Sequence, residues 1–142
     1  MPFQATTTTK SRHEETTLKK LNDNCLPVGS TFEIPHATFT DISPILQNDF
    51  SVVTKTGDRM YLALMILTDD FECTTQFKAF TNVIYRIFKI NPTEYMNLSM
   101  SAKQNLYDES MKIIVGKKVR ITGKVSSYLG RSELHMTSFE FE

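Results

Sequence analysis

Lys117-Lys118-Val119-Arg120-Ile121-Thr122-Gly123-Lys124-Val125, with Gly116 before it and Ser126-Ser127-Tyr128-Leu129-Gly130 after it, is the stretch that decides the fold. Valine and isoleucine alternate with lysine, arginine and threonine, the period of a strand that buries one face and turns the other to water. Ser126 to Gly130 supplies turn residues and Glu133 to Phe141 alternates again, so the chain ends in a β-hairpin. Phe139 and Phe141 fall on one face of its second strand and read as core closure.

Upstream of Gly116 the period changes. Phe77, Phe80, Ile84, Ile87 and Phe88 recur three or four apart with Gln76, Lys78, Asn82, Arg86 and Lys89 between them, which predicts an amphipathic helix from Thr74. Asn91-Pro92 stops it, because proline cannot continue the ladder and restricts the residue before it. Ser101 to Ile114 predicts a second helix with Gly116 as its stop, giving a helical insert over about 74–115. Arg59 to Leu67 is apolar on both faces and predicts a strand. The turn Thr56-Gly57-Asp58 joins it to an earlier strand over Phe50 to Lys55. Asp41 to Asp49, with Pro44 and Asn48, reads as a loop. Thr31 to Thr40 carries Phe32, Ile34, Ala37 and Phe39 around Pro35, a strand kinked at an edge or a bulge. Residues 4–26 hold the threonine run Thr6 to Thr9 and only Leu18, Leu21 and Leu26 as large aliphatics, too little to offset ordering. Residues 1–26 are therefore expected to be a flexible tail, with a short helix available over His13 to Leu21, and residues 27–142 the domain.

Three strands, a helical segment and two further strands is the order of the OB fold. The expected class is mainly β with an α insert: a five-stranded OB-type Greek-key barrel with the helical segment between strands 3 and 4. The run Gly116 to Val125, followed by Tyr128-Leu129-Gly130-Arg131, resembles the last hairpin of OB-fold nucleic-acid-binding domains such as those of single-stranded-DNA-binding proteins. The resemblance is one of architecture, covers roughly Thr31 to Phe141 and depends on no diagnostic motif. It implies that Gly123 relieves crowding where the fourth barrel strand bends. The insert is longer than the single cap of a minimal member, so it is either an elaborated cap or a partner surface.

The 142 residues, 40% hydrophobic, suffice for one core and one domain. Lysine and arginine number 16 and so do aspartate and glutamate, so the whole-molecule field steers the chain toward neither nucleic acid nor an anionic membrane. Any basic site has to be local. The longest apolar stretch, Met60 to Leu67, is far short of the roughly 20 residues that span a bilayer, and the N-terminus lacks the apolar run of a secretory signal. No membrane partner is expected, and an intracellular setting is. Cys25 and Cys73 lie far apart in sequence. They fit reduced thiols, with a single bridge left open.

The resemblance places ligand contact on strands two and three and on the loops joining strands one to two and four to five. Stacking aromatics and backbone-tracking cations are the chemistry of single-strand binding. Phe50, Lys55, Arg59 and Tyr61 are the candidates on the second and third predicted strands; Arg120, Lys124, Tyr128 and Arg131 are those on or beside the last hairpin. Tyr128 in its turn is either a stacking platform or a ring folded over the barrel rim. Tyr61 is alternatively core, and the Arg120-Thr122-Lys124 face is alternatively an ordinary solvated strand whose cations discourage edge pairing. His13, His36 and His135 are scattered, and Asp69-Asp70 with Glu72 reads as an acidic turn before a helix, so neither a catalytic site nor a metal or other cofactor is expected.

The expectation is a sequence-tolerant single-stranded DNA-binding protein, without turnover, that supports replication, recombination or repair. RNA as the strand and a homo-oligomeric state stay open. The alternative is an OB-fold interaction subunit of a larger complex, using the stretch Phe77 to Phe88 for a protein partner.

Overall fold

The computed structural model describes residues 14–46 and 49–142 of the chain. In chain order the elements are β1 (Glu14–Glu15), α1 (Leu18–Asn22), β2 (Thr31–Pro44), β3 (Ser51–Val53), β4 (Arg59–Thr68), β5 (Thr74–Phe80), α2 (Thr81–Phe88), α3 (Pro92–Met96), α4 (Met100–Ile114), β6 (Lys118–Tyr128) and β7 (Arg131–Phe141). β2 pairs with β6 through its first half and with β4 through its second. β4 pairs with β5, β5 with β7, and β7 with β6, which closes a ring of five strands. The fold is the OB-type barrel expected, with α2, α3 and α4 between the third and fourth barrel strands and α1 before the first.

The long first strand serves two neighbours because it bends twice. Its register shifts between Ile34 and Ala37, where His36 takes a positive φ of 62° beside Pro35, and again between Phe39 and Asp41. These are bulges, the device by which a strand turns a barrel corner. β2 runs on to Pro44, so the first part of the expected loop Asp41 to Asp49 is strand.

The helix expected from Thr74 is corrected. Thr74 to Phe80 is strand β5, with Thr75, Phe77 and Ala79 buried and Thr74 and Gln76 exposed, a period of two. The helix starts only at Thr81, with Phe80 in the N-cap position and no side-chain cap there. Without a turn or a capping residue between strand and helix, Phe77 and Phe80 fell into the helical spacing of Ile84 and Ile87. The barrel's second and third strands are consequently β4 and β5. The expected strand over Phe50 to Lys55 shrinks to β3, an accessory strand that pairs with β4 at the sheet edge.

The first helix ends earlier than the expected stop at Asn91-Pro92, at Phe88 with Lys89 as a left-handed C-cap, and Asn91 instead caps the next helix. Its side chain accepts from the Glu94 amide while the Glu94 carboxylate accepts from the Asn91 amide, and Pro92 opens α3. The stretch Phe77 to Phe88 supplies core: Phe77, Val83, Ile84, Ile87 and Phe88 are all buried. Its apolar face is packed on the barrel, while Tyr85 in the same stretch stays 49% exposed.

The flexible-tail expectation is corrected for its described part. Leu18 and Leu21 are buried in the barrel core, the Thr17 side chain caps α1, and Glu14–Glu15 adds a short parallel strand to β2. Two leucines three apart on a single helical turn suffice because the barrel offers an open end for them. Residues 1–13 lie outside the described residues. Cys25 and Cys73 are free thiols. Among the described residues no helix is long and apolar enough to cross a membrane.

Candidate functional site

β5 and β7 run parallel and close the ring through two register pairs, Lys78↔His135 and Ala79↔Met136. Beside this short seam an open groove of about 480 Å³ lies between Thr74, Gln76 and Lys78 on one wall and Ser132, Glu133 and Leu134 on the other. α1 and the loop after it close one side with Leu21, Asn22, Asn24 and Leu26. They are fastened there because the Asn22 side chain donates to the Thr74 carbonyl at 3.1 Å and accepts from Thr75 Oγ1 at 2.9 Å.

The groove's charge sits in one compact cluster. Lys78 Nζ donates to Glu133 Oε2 at 2.7 Å, with both side chains about four-fifths covered. The same Nζ lies 5.3 Å from the centre of the Tyr128 ring. His135 Nε2 lies 3.0 Å from Glu133 Oε1, and the imidazole packs edge-on against Phe80 with ring centres 5.1 Å apart. Lys78, and after it His135, hold the Glu133 carboxyl below its ordinary range, so it is ionised at neutral pH.

The expected site residues divide. Phe50 and Tyr61 are corrected to core. Phe50 packs on Phe88, Tyr95 and Tyr107; Tyr61 is fully buried with its hydroxyl donating to the Ile90 carbonyl at 2.7 Å. Burial pushes the Tyr61 phenol far above its ordinary pKa. Phe50 precedes the short β3, outside the ring of barrel strands, whereas Tyr61 keeps a place on a ligand-face strand, β4, but on its inward side. Lys55 is exposed in the β3–β4 turn, and Arg59 is half-buried with its guanidinium donating to the Ser51 carbonyl. Arg120 faces outward but is held by Glu33 at 3.0 Å and Glu15 at 3.5 Å, so the basic stripe ending at Lys124 is largely neutralised at that point.

Lys124, Tyr128 and Arg131 are exposed on the β6–β7 hairpin, where Tyr128 pairs with Arg131 and Lys124 with His135. Neither Lys124 nor Arg131 makes an ion pair among the described residues. Lys78 and Phe80 are missed in the sequence because Thr74 to Phe80 fits a helical period, whereas a period of two places Gln76 and Lys78 outward; Glu133 and His135 lie on the expected last strand and gain their partners only when it pairs with β5. Phe71 was missed as well. It is 86% exposed in the β4–β5 turn, which Asp69 Oδ1 fastens by accepting from the Phe71 and Cys73 amides.

No protein-family model matches the sequence, and no characterised protein matches it by sequence. Solved structures share its fold. A chain of a replication protein A heterotrimer bound to single-stranded DNA superposes with a TM-score of 0.62 at 11% identity, over 92% of this chain and 36% of the other. A chain from the crystal structure of fission yeast Pot1 and Tpz1 superposes with a TM-score of 0.56 at 8% identity, over 93% of this chain and 94% of the other. The chain thus spans about a third of the length of the first of these and nearly all of the second. At these identities the likeness establishes the OB fold, the architecture on which the hairpin resemblance rested.

Proposed function

We propose that this OB-fold chain binds single-stranded nucleic acid, with DNA the favoured strand, and that it does so without turnover. The observation that carries the proposal is the open groove lined by Leu64 of the second barrel strand, Thr74 to Gln76 and Lys78 of the third and Ser132 to Leu134 of the last, with the Tyr128 ring of the β6–β7 hairpin beside Lys78. OB folds take oligonucleotides on that face and with the loop joining their last two strands. The replication protein A chain that shares the fold belongs to a heterotrimer bound to single-stranded DNA, which supports the same ligand class here. Exposed Lys124 and Arg131 supply cations for the backbone, and Tyr128 supplies a surface for a base. Service in replication, recombination or repair by covering exposed strands is the role such binding fits.

The test is anisotropy of a labelled thirty-nucleotide thymidine oligomer at two salt concentrations, with a duplex control. Binding that spares duplex and weakens with salt is expected, because phosphate contacts release counterions. Absence of binding at both salts overturns the proposal.

A second reading has one observation of its own. The C-terminal end of α4 leaves Ile113 60% exposed and Val115 45% exposed, an apolar edge suited to a protein partner within a larger complex. A change in solution mass with a candidate subunit, and none with oligonucleotide, is its signature.

A further inference from the structure

Among the described residues that line the groove there is one cation, Lys78, and one carboxylate, Glu133, and they are paired to each other. The remaining polar groups of the lining are amides and hydroxyls, among them Asn24, Gln76 and Ser132. The groove therefore has no net charge to offer a phosphate. A backbone threaded through it would bring a row of anions against the Glu133 carboxylate and would have to break the 2.7 Å contact to reach Lys78. The exposed cations of the hairpin, Lys124 and Arg131, lie outside the groove lining.

Resting on the single-strand reading above, we propose that Glu133 is a specificity-determining residue that keeps phosphate out of the groove, so that a strand enters with its bases inward and its backbone along the hairpin. The carboxylate acts in two ways. It repels the polyanion, and its second lone pairs accept from the amino or imino hydrogens of a base edge. Lys78, held by Glu133 and lying over the Tyr128 ring, is then a positioning group for the stacking tyrosine and not a phosphate ligand. The ligand class selected is a base-bearing single strand, against polyanions whose charge alone would compete.

The experiment compares two labelled fifteen-unit strands of equal charge, one of mixed base sequence and one fully abasic, on the full chain, Glu133→Gln, Glu133→Asp and the double variant Glu133→Gln with Lys78→Gln. The native chain is expected to prefer the base-bearing strand by about tenfold or more, the scale of losing stacking on one aromatic. Glu133→Gln is expected to gain about fivefold for the abasic strand, the scale of one partly exposed charge contact. Its salt dependence for that strand should steepen by about 0.7, one further phosphate contact on a single strand. Glu133→Asp keeps the charge and should keep the exclusion; the double variant should lose the gain, since the phosphate would have gone to Lys78. Equal binding of both strands by the native chain, no gain in Glu133→Gln, or a gain that survives loss of Lys78 overturns this inference while leaving single-strand binding intact. Failure of every protein to bind either strand overturns both.

Discussion

Gly123 sits where a side chain has no room. A Cβ there would lie 2.6 Å from Phe32 Cζ and in overlap with the His135 carbonyl oxygen. The β6–β7 register shifts between Thr122 and Gly123, so the close approach coincides with the bend of the fourth barrel strand. Gly123→Ala should therefore cost about 1–3 kcal/mol or more through overpacking, read as a lowered urea midpoint with the slope retained. Tyr128 is the opposite case, 59% exposed and packed against little but Lys78. Tyr128→Ala should leave the unfolding midpoint nearly unmoved and weaken oligonucleotide binding by roughly 1–3 kcal/mol, measured by anisotropy. Gly123 and Tyr128 were both legible as residues, because a glycine inside a strand period and an aromatic inside a turn each break a local rule. Lys78 obeyed the wrong rule and was passed over.

At the scale of elements, two contacts settle what a short segment does. α1 is five residues long and cannot hold itself, yet Leu18 and Leu21 are fully or nearly fully buried. Leu18→Ala should cost about 2–5 kcal/mol, the range for truncating a leucine in a packed core, measured by chemical denaturation. The β6–β7 turn shows the reverse relation. Leu129 and Gly130 carry φ of 51° and 78°, the left-handed pair of a two-residue hairpin loop, and Leu129 is 85% exposed. Leu129→Asn should raise stability by roughly 0.5–1 kcal/mol, since asparagine tolerates that conformation and no packing is lost. The turn was visible in sequence but placed too broadly over Ser126 to Gly130; serines that pair across to Glu133 and Ser132 look like turn residues until the ladder is seen.

For the whole molecule, equal numbers of acidic and basic residues mean that binding rests on a few local cations. With Lys124 and Arg131 as the two backbone cations, the slope of log affinity against log salt should be shallow, about −1.4 at roughly 0.7 per phosphate. The Lys78–Glu133–His135 cluster ties β5 to β7 across the seam of the barrel. Because the folded Glu133 pKa is lowered from 4.5, its contribution to stability is present above that value and is lost as the pH falls through the lower folded value. The thermal midpoint should drop on acidification below about pH 4.5, and Glu133→Gln should remove part of that drop.

The sequence by itself determined the barrel class, the C-terminal hairpin, the bulged first strand and two of the helices between β5 and β6, because each is written in a local period or a local break in one. Tertiary structure decided the rest. Whether Thr74 to Phe80 is strand or helix depends on β4 lying beside it with unpaired backbone groups to satisfy, and whether Leu18 and Leu21 are tail or core depends on an open barrel end. Phe50 and Tyr61 are core for separate reasons: Phe50 lies outside the ring of barrel strands and packs on Phe88, Tyr95 and Tyr107, and Tyr61 stands on the inward side of β4. The groove itself exists in no stretch of sequence: it is the gap beside a two-pair parallel seam between strands more than fifty residues apart, and only closure of the ring brings Lys78 to Glu133 and Tyr128.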